Sequence, residues 1–545
     1  MPNAIFSVPP PVNEPVLEYR PGSPERRELK ATIENLKAEQ VEIPCVIGGR
    51  RVFTGDTIDV RAPHSHATKL GSVHMVSEVE INDAIDSAVA VRRDWMHTDW
   101  HERAAIFLRA AELLAGPWRA RVNAATMLCQ SKNAHQAEID SAAELIDFFR
   151  FNAAFMQQIY EGQPISTSTT WNRTEYRGLE GFVFAVTPFN FTSIAGNLPT
   201  APAMMGNTVL WKPASTAVYS SWVVHQLLEA AGLPPGVINF VPGSGRKVGT
   251  PTFASEHFTG LHFTGSTPTF QFMWKTIVET LPSYHTYPRI VGETGGKNFI
   301  VVHSSANPIE VATAAVRGAF EYQGQKCSAA SRMYVPESLW PEIKREMESQ
   351  LSEIKMGPVE DFTNFMNAVI DRASFDLLTS HIDDSRKSPD AEILFGGGYD
   401  DSEGFFIEPT VIQVTDPGYV TMCEELFGPI LSVYVYKDSE WSETLDVVDS
   451  TSPYALTGAI FADDRAAVVE ASTRLDEAAG NFYINDKPTG AVVGQQPFGG
   501  ARASGTNHKA GSILNLIRWI SARSIKETFN PPRHFSYPFL EPDID

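Results

Sequence analysis

A cysteine and a glutamate in this chain have the side chains needed for covalent chemistry on a carbonyl group. Cys327 follows the sequence GQK at residues 324–326. Glu293 is expected in a glycine-flanked loop, GETGG at residues 292–296, after a strand over 289–291. A thiolate attacks a carbonyl carbon, and a carboxylate activates the water that later releases the product. The pair indicates acyl chemistry. The alternatives are a cysteine that packs as a small apolar residue and a glutamate that forms a structural ion pair.

Two polar residues follow apolar runs that are typical of buried strands. Asn190 lies in TPFNF at residues 187–191, and its amide is either a donor for an oxyanion or a cap for a turn or helix. Lys212 lies in WKPAS at residues 211–215, where it binds a ribose hydroxyl or a phosphate or is solvated surface. In open α/β sheets ligands bind beyond the carboxyl ends of the strands, so both positions suit a binding site.

Two glycine-containing segments can present backbone N–H groups to an anion. Residues 263–270 read FTGSTPTF and lead into a helix predicted over 268–281, which makes the helix start a candidate pyrophosphate site. The segment does not match GxGxxG, the usual dinucleotide-binding pattern. Residues 486–500 read DKPTGAVVGQQPFGG and form either an anion-binding loop or a flexible linker.

Buried strands alternating with helices position these segments. Short apolar runs at 183–186, 208–211, 238–241, 261–263 and 299–302 are separated by predicted helices such as 217–231 and 246–256. This alternation predicts an α/β fold with a parallel sheet covered on both faces, and a second α/β unit from about 332 to 485. Upstream we expect an extended arm over 1–30, short β-runs over 31–75, and helices over 102–115, 117–132 and 136–161. Ser77 and Glu80 predict a capping box.

Bulk composition excludes several classes of protein. The chain has 545 residues, which predicts two or three domains, and a net charge of −21, which argues against nucleic acid or an anionic membrane as partner. No apolar run approaches the roughly 20 residues that span a bilayer. The four cysteines lie far apart, so no disulfide framework and no metal site is expected. The first 19 residues look like neither a secretory signal nor a transit peptide.

The ordered motifs resemble the aldehyde dehydrogenase superfamily from about residue 45 to 528. Seven motifs carry the resemblance: PFN at 188–190, WKP at 211–213, FTGS at 263–266, ETGGK at 293–297, GQKC at 324–327, ELFGP at 425–429 and PFGG at 497–500. Residues 320–329, 483–487 and 502–507 are also similar to the members that oxidise L-glutamate γ-semialdehyde, the open form of Δ1-pyrroline-5-carboxylate, to L-glutamate in proline catabolism.

The resemblance implies a Rossmann-type NAD-binding domain, an α/β catalytic domain and a small β oligomerisation flap. It implies that Cys327 forms a thioester, that Glu293 activates water, and that Asn190 with the backbone N–H of Cys327 stabilises the oxyanion. It implies these NAD-binding residues: Thr187, Lys212, Ser215, Gly265, Ser266, Thr267, Pro268, Thr269, Glu425 and Phe427. It implies these substrate-binding residues: Glu144, Phe191, Lys326, Ser328, Gly490, Ala491 and Phe498.

Among the substrate-binding residues, the resemblance implies that the backbone N–H groups of Gly490 and Ala491 bind the α-carboxylate. It also implies that Phe191 and Phe498 enclose the aliphatic chain. Glu144 is a candidate partner for the α-ammonium, or else an exposed helix carboxylate. Two positions depart from the family pattern. Ser215 stands where NAD-preferring relatives often have glutamate, so some use of NADP is expected. Phe270 stands where many relatives have glycine, and we expect it to change the packing of the helix beneath the cofactor.

The expected organisation is an N-terminal arm (1–44), an NAD-binding domain (45–161 and 181–290), a catalytic domain (291–490), and a flap with a C-terminal segment (162–180 and 491–545). We expect a small-molecule substrate, a homodimer or larger homo-oligomer, and a functional link to a separate proline dehydrogenase. The resemblance places the protein in the mitochondrial matrix, with a presequence outside this chain. The alternative is the cytoplasm.

Two rival functions remain at this level. One is another semialdehyde dehydrogenase, such as one acting on succinate semialdehyde, although the Gly490–Ala491 anchor without an obvious arginine favours an amino acid substrate. The other is a catalytically silent family member with a structural or binding role. The joint presence of Cys327, Glu293, Asn190 and Lys212 argues against it.

Overall fold

The N-terminal half of the chain contains one large mixed sheet and most of the long helices. The computed structural model describes residues 4–544. The strands of this half are β1 (Val41–Ile43), β2 (Cys45–Ile47), β3 (Arg50–Val52), β4 (Thr57–Ala62), β5 (Ser65–His74), β6 (Thr170–Arg177), β7 (Phe182–Val186), β8 (Thr208–Lys212), β9 (Ile238–Phe240), β10 (Phe258–Thr264) and β11 (Arg289–Glu293). Its helices are α1 (Pro24–Glu39), α2 (Glu78–His97), α3 (Trp100–Ala115), α4 (Arg119–Gln130), α5 (Ala134–Ala137), α6 (Glu144–Glu161), α7 (Thr192–Met204), α8 (Val218–Ala231), α9 (Gly245–Ala254) and α10 (Thr267–Thr280).

The C-terminal half adds a second sheet and shorter helices. Its strands are β12 (Asn298–Val302), β13 (Ala330–Pro336), β14 (Ala391–Phe395), β15 (Tyr399–Asp400), β16 (Phe406–Ile407), β17 (Thr410–Val414), β18 (Ile430–Tyr436), β19 (Tyr454–Ala455), β20 (Thr457–Phe461), β21 (Asn481–Ile484), β22 (Ala501–Arg502) and β23 (Ser521–Thr528). Its helices are α11 (Pro308–Phe320), α12 (Trp340–Glu353), α13 (Arg372–Lys387), α14 (Val420–Cys423), α15 (Trp441–Ser450), α16 (Arg465–Arg474) and α17 (Ile513–Leu516).

Each large sheet has a parallel core. The first runs β11-β10-β7-β8-β9-β2-β3, with parallel pairing from β11 to β9 and an antiparallel hairpin of β2 and β3 at one edge. The second runs β14-β17-β18-β13-β12-β20-β21, parallel except for β14. Their central strands are uniformly buried because helices cover both faces. The predicted α/β architecture is confirmed.

Most predicted helices form close to their expected limits. The capping box is present, since the Ser77 hydroxyl accepts from the first turn of α2 while the Glu80 carboxylate accepts from the backbone N–H of Ser77. The stretch expected over 136–161 is helical but contains a π-helical turn over Glu138–Ala143, directly before α6. Such turns insert a residue into an α-helix and change which side chains face a neighbouring site.

Two local predictions are wrong. Residues expected to form the end of the arm and the first β-runs instead form α1, which starts after the cap Ser23 and buries Leu29, Ile33 and Leu36. The prolines before this helix predicted an extended arm, although the three buried residues have helical spacing. Glu293, expected in a loop after a strand, is the last residue of β11 and pairs with Thr264. The strand continues because its neighbour β10 still offers backbone partners there.

The expected flap is a two-stranded antiparallel ribbon. Strands β6 and β23 pair from Thr170 with Thr528 to Arg177 with Ser521, and Trp171 on the ribbon is half exposed. Residues 5–20 are extended and lie against α6 and the neighbouring helices. No helix within residues 4–544 is apolar over the length that a membrane crossing needs.

Candidate active site

One cavity of about 250 Å³ brings together residues that are remote in sequence. It is lined by Cys327 and by every residue predicted to bind substrate: Glu144, Phe191, Lys326, Ser328, Gly490, Ala491 and Phe498. Residues of the N-terminal arm and of α6 complete the wall. Asn190 and Glu293 approach the same cysteine from the carboxyl ends of β7 and β11, the two strands on either side of β10. The sequence-predicted chemical and substrate residues therefore converge on one place.

A strained turn before Cys327 sets the position of the thiol. Tyr322 and Gln323 both have φ of 53°, in the left-handed region that is costly for residues other than glycine. The Gln323 side chain holds this turn, since its amide donates to the carbonyls of Ser131 (2.9 Å) and Ala368 (2.8 Å). Gln325 accepts from the backbone N–H of Ile370 at 2.8 Å. These side chains fix the backbone that leads into the cysteine.

Asn298, at the start of β12, holds the other side of the cysteine loop. Its amide donates to the carbonyls of Cys327 (2.7 Å) and Ala329 (2.8 Å), and its oxygen accepts from the N–H of Thr457 at 3.0 Å. Gly296 allows this close approach, because a Cβ there would lie 2.4 Å from the Cys327 carbonyl oxygen. The loop is thus fixed from both sides.

The resting form of Cys327 is the thiol. The side chain is buried, with 8% exposure, and burial raises its pKa well above the ordinary value. The carboxylates of Glu425, Glu293 and Glu144 raise the pKa further, while the backbone N–H of Ser328 lowers it. Formation of the thiolate therefore needs a base or a nearby positive charge.

Glu293 has the environment of a general base. Burial raises its pKa to about 8, whereas the backbone N–H of Gly500 and the charge of Lys509 lower it. Oxygen Oε2 accepts from the Gly500 N–H at 2.8 Å, and Oε1 is buried without a hydrogen-bond partner among residues 4–544. A buried carboxylate oxygen with a free lone pair is suited to accept a hydrogen bond from a water or a thiol.

Asn190 is buried beside the cysteine loop. One N–H of its side chain donates to the Gln325 carbonyl at 3.0 Å, which fixes the amide plane. A carboxamide has a second N–H, which is available for a ligand oxygen. The geometry matches an oxyanion donor better than the alternative of a helix cap, since α7 is preceded by Phe191 and not by Asn190.

The carboxyl group of Glu144 forms another part of the cavity wall. The Ser193 hydroxyl donates to its Oε2. Burial raises the pKa of Glu144 to about 8, and the charge of Asp140 adds to this shift. An ammonium group placed beside it would lower that pKa again. The alternative of a fully solvated helix carboxylate is thus not what the structure contains.

The loop that contains Gly490 and Ala491 also lines the cavity. Gly490 has φ of 101°, and a Cβ there would lie 2.9 Å from the Lys487 ammonium, so the position favours glycine. Lys487 donates to the Thr489 carbonyl at 3.1 Å, and the hydroxyls of Thr489 and Ser328 are 2.8 Å apart. This loop is fixed by local contacts, which argues against the flexible-linker alternative.

Two buried lysines neutralise carboxylates around the cavity. The Lys326 ammonium lies 3.2 Å from the Glu321 carboxylate. Burial alone would lower the pKa of Lys326, but the charges of Asp140 and Glu321 raise it overall. Lys132 lies 2.7 Å from Asp140 and 4.5 Å from the ring centre of Phe191. Both ammonium groups therefore lie in ion pairs beside the cavity.

The carboxyl ends of β7, β8 and β10 hold the predicted cofactor residues. Lys212 ends β8, burial lowers its pKa to about 8, and its ammonium donates to the Pro213 carbonyl at 3.2 Å. The Thr187 hydroxyl accepts from the Trp211 indole at 3.1 Å. Ser215 begins a short 3₁₀ turn after β8. These groups lie where open α/β sheets bind nucleotides.

The backbone N–H groups at the start of α10 have no capping side chain. Its N-cap Ser266 makes no side-chain capping bond and instead lies 2.7 Å from the Thr269 hydroxyl. Of the rest of this predicted segment, Gly265 precedes the N-cap, and Thr267 and Pro268 are the first two residues of the helix. A pyrophosphate accepts hydrogen bonds from such a helix start. The Glu425 carboxylate accepts from the Gly296 N–H at 2.8 Å, and Phe427 packs edge-on against Phe189.

Phe270, the unusual residue in this helix, packs under the sheet end. Its ring is stacked on Phe263 with 5.3 Å between centres, and it occupies the space above Gly292, where a Cβ would collide with it. Phe270 therefore takes part in the packing of α10 against the end of the sheet.

Several residues of the site were not predicted from the sequence. Asn298, Gln323 and Gln325 act through hydrogen bonds to backbone atoms of distant segments, and a single sequence carries no signal for such pairs. Asn13 and Asp147 line the cavity but belong to the arm and to α6. Asp147 lies three residues after Glu144, so helical periodicity is a signal that would have found it.

The chain belongs to the aldehyde dehydrogenase family, whose model matches residues 52–524. A Dictyostelium discoideum protein named Delta-1-pyrroline-5-carboxylate dehydrogenase, mitochondrial, is 51% identical over 540 residues, which cover 98% of this chain and 97% of the relative. The NAD-bound crystal structure of the Mycobacterium tuberculosis Delta-pyrroline-5-carboxylate dehydrogenase superposes with a TM-score of 0.96 at 52% identity, covering 99% and 100% of the two chains. Proline utilization A from Bdellovibrio bacteriovorus matches with a TM-score of 0.90 at 28% identity, over 96% of this chain and 54% of the other.

Proposed function

We propose that this enzyme oxidises L-glutamate γ-semialdehyde, the open form of Δ1-pyrroline-5-carboxylate, to L-glutamate with NAD. The observation that carries the proposal is the single cavity in which Cys327 faces a carboxylate, Glu144, at one position and a backbone anion site at Gly490 and Ala491 at another. A substrate with an aldehyde, an ammonium and a carboxylate matches these three features. The relatives named above carry the same activity in their names.

The first step is attack by sulfur on the aldehyde carbon. The Cys327 thiol gives its proton to solvent water, and the positive charge of Lys326 favours the thiolate. The new C–S bond forms as the carbonyl π bond breaks. The oxyanion accepts hydrogen bonds from the second N–H of Asn190 and from the backbone N–H of Cys327.

Bound NAD supplies the acceptor for the hydride that leaves this carbon, so that the hemithioacetal becomes a thioester. Glu293 then removes a proton from water. The hydroxide oxygen bonds to the acyl carbon, the C–S bond breaks, and sulfur leaves as thiolate. The product is glutamate. Burial around Glu293 supports this role because a pKa of about 8 makes its carboxylate a stronger base than an exposed one.

The cofactor set is the one predicted from the sequence. Lys212 and Glu425 hold ribose hydroxyls, the start of α10 holds the pyrophosphate, and Thr187 and Phe427 line the site near the cysteine. The uncapped helix start and the partly buried ammonium of Lys212 fit this assignment. Ser215 carries no negative charge to repel a 2′-phosphate, so NADP is a slower alternative to NAD.

The amino acid part of the substrate lies across the cavity. Gly490 and Ala491 donate N–H groups to the α-carboxylate, and Glu144 pairs with the α-ammonium. Phe191 and Phe498 enclose the methylene chain, while Ser328 lines the wall, held by Thr489. A substrate without the amino group leaves Glu144 without a cation, which costs affinity because the carboxylate is buried.

The larger organisation is part of the same proposal. The NAD-binding domain spans 45–161 and 181–290, the catalytic domain 291–490, and the flap with the C-terminal segment 162–180 and 491–545, after the arm at 1–44. The exposed β6–β23 ribbon is a surface for a homodimer or larger homo-oligomer. The name of the Dictyostelium relative supports a mitochondrial matrix location, and the similarity to proline utilization A supports a functional link to proline dehydrogenase.

The direct test is NADH formation by the purified protein. Initial rates are compared for L-pyrroline-5-carboxylate, succinate semialdehyde and propanal, each with NAD and NADP. We expect pyrroline-5-carboxylate with NAD to give the highest kcat/KM. A higher value for another aldehyde contradicts the substrate assignment, and no turnover with any aldehyde supports the catalytically silent alternative.

A further inference from the structure

The N-terminal arm forms part of the wall of the substrate cavity. Asn13, Glu14 and Val16 line the same 250 Å³ space as Cys327. These residues are more than a hundred positions from any other part of the cavity in sequence, and they are extended with no regular secondary structure. A segment placed there affects the shape of the cavity although it belongs to neither of the two large sheets.

Asn13 joins two parts of the proposed substrate anchor. Its side-chain amide donates to Asp147 Oδ2 at 2.7 Å and to the Val493 carbonyl at 2.8 Å, and its Oδ1 accepts from the Gln495 amide at 2.9 Å. Three hydrogen bonds from one carboxamide thus connect helix α6 with the loop that follows Ala491. The backbone N–H of Glu14 adds a bond to Asp147 Oδ1 at 2.7 Å.

The two connected parts carry opposite ends of the proposed anchor. Asp147 lies one helical turn after Glu144 on α6, so the two side chains share a face. Val493 lies shortly after Gly490 and Ala491 on the loop. The distance between the site for the α-ammonium and the site for the α-carboxylate therefore depends on the contacts of Asn13.

The arm is held in place without Asn13. The Glu14 carboxylate receives the guanidinium groups of Arg119 and Arg150, the latter at 2.7 Å. Glu138, which is fully buried, accepts from the Leu17 N–H at 2.9 Å and from the Tyr19 hydroxyl at 2.8 Å. Removal of the Asn13 side chain therefore releases the bridge while the arm keeps its path.

We propose that Asn13 is a positioning residue that sets the spacing of the amino acid anchor and thereby the preference for an α-amino acid semialdehyde over a simple aldehyde. This inference rests on the function proposed above. Asn13 does not touch the reacting carbon in this scheme. Its effect reaches the substrate through α6 and through the anchor loop, so it concerns binding of the α-substituents and not attack by Cys327.

The test compares three aldehydes with the full-length wild-type enzyme and Asn13→Ala. The aldehydes are glutamate γ-semialdehyde, 5-oxopentanoate, which lacks the amino group, and butanal, which lacks both α-substituents. For Asn13→Ala we expect about a tenfold rise in KM for glutamate γ-semialdehyde, a smaller rise for 5-oxopentanoate, and values for butanal within about twofold of wild type, at nearly constant kcat.

Two further variants distinguish a positioning role of Asn13 from a general loss of rigidity in the N-terminal arm. Gln157→Ala removes the acceptor of the Val8 N–H at 2.7 Å, an arm contact remote from the bridge, and should leave all three KM values unchanged. Gln495→Ala removes an exposed partner of Asn13 and should reproduce part of the effect. The double variant Asn13→Ala/Gln495→Ala should show less than the sum of the two single effects, since both break one bridge.

The outcomes distinguish the positioning role from the underlying function. Equal losses on all three aldehydes, equal effects of Gln157→Ala and Asn13→Ala, or no change in KM would overturn the role of Asn13 while the wild-type preference stands. If Asn13→Ala does not fold, unchanged KM values in Gln495→Ala overturn it. If the wild-type enzyme does not prefer glutamate γ-semialdehyde to butanal, the proposed function itself is wrong.

Discussion

The cysteine side and the anchor side of the cavity are built in different ways. Around Cys327 the backbone is fixed by buried amides, Asn298 and Gln323 among them, which bond to carbonyls of buried loop residues. On the anchor side, the loop after Gly490 is joined to α6 by Asn13 on an extended arm at the edge of the fold. In the proposed mechanism, the chemistry depends on buried contacts and substrate choice depends on peripheral ones. The two properties should be separable by mutation.

The largest expected effect is on the cysteine side. Cys327→Ala removes the nucleophile, so turnover of every aldehyde should fall by at least about a thousandfold. NAD binding should persist, because the proposed cofactor residues lie at the ends of other strands. Rates from NADH absorbance and cofactor affinity from calorimetry check both statements. The matched control is Cys423→Ala, which changes a cysteine outside the cavity and should retain wild-type rates. Turnover by Cys327→Ala contradicts the account.

Loss of the general base should block the reaction at hydrolysis of the thioester, after attack by Cys327. Glu293→Gln keeps the shape of the side chain and its hydrogen bond from Gly500 but cannot take a proton from water. Steady-state turnover should fall by about a hundredfold or more, while a rapid first burst of NADH remains because attack by Cys327 does not need Glu293. Stopped-flow absorbance measures both phases. A variant that keeps the wild-type steady-state rate would remove Glu293 from the mechanism.

Asn298→Ala tests the rigidity of the cysteine side. The substitution leaves the carbonyls of Cys327 and Ala329 without their buried donor, which costs about 1–3 kcal/mol of stability for each unpaired group. Activity towards all three aldehydes should fall in equal proportion because the thiol loses its fixed position. Chemical denaturation and kcat for each aldehyde provide the measurement. A selective loss with glutamate γ-semialdehyde alone would contradict the division between the two sides.

Glu144→Gln should act only on the anchor side. The amide keeps the contact with Ser193 but lacks the charge for an α-ammonium, so kcat/KM for glutamate γ-semialdehyde should fall by about tenfold. The value for butanal should not change. The check is the ratio of kcat/KM for the two substrates, and an unchanged ratio would show that another group recognises the amino group.

The pH dependence should be common to all substrates. The pKa of Glu293 is raised to about 8 in the folded protein, and the active form is the carboxylate. Below this pKa, the hydrolysis rate should therefore rise by at most a factor of about ten per pH unit. Above about pH 8 the rate should level off. Measured kcat between pH 6 and 10 for glutamate γ-semialdehyde and butanal should follow one curve. Different curves for the two substrates would show that the titrating group acts on the amino acid part of the substrate and not on hydrolysis.

The sequence predicted the chemical side of the site better than its supports. Cys327, Glu293, Asn190 and Lys212 stand in short ordered motifs, and the family and fold predicted from them are confirmed. The roles of the individual residues stay predictions. Local patterns also found the capping box and most helices, since both depend on neighbours in the chain.

Other parts of the structure could not be predicted because they depend on distant partners. Helix α1 was missed since prolines before it suggested an arm, although Leu29, Ile33 and Leu36 have helical spacing. Asn298 and Asn13 were missed for another reason, because an asparagine shows its role only through the backbone that it contacts. The anchor side is assembled from the arm, α6 and the loop after residue 490, and no single segment carries its signal.

The most direct test of the account is the mass of the acyl-enzyme formed by Glu293→Gln. The variant is mixed with NAD and equal concentrations of glutamate γ-semialdehyde and butanal, quenched in acid and analysed by peptide mass spectrometry. The account predicts that a glutamyl group is attached to the peptide containing Cys327 and that the butanoyl adduct is minor. An adduct on another cysteine would contradict the proposed chemistry, and a dominant butanoyl adduct would contradict the proposed anchor.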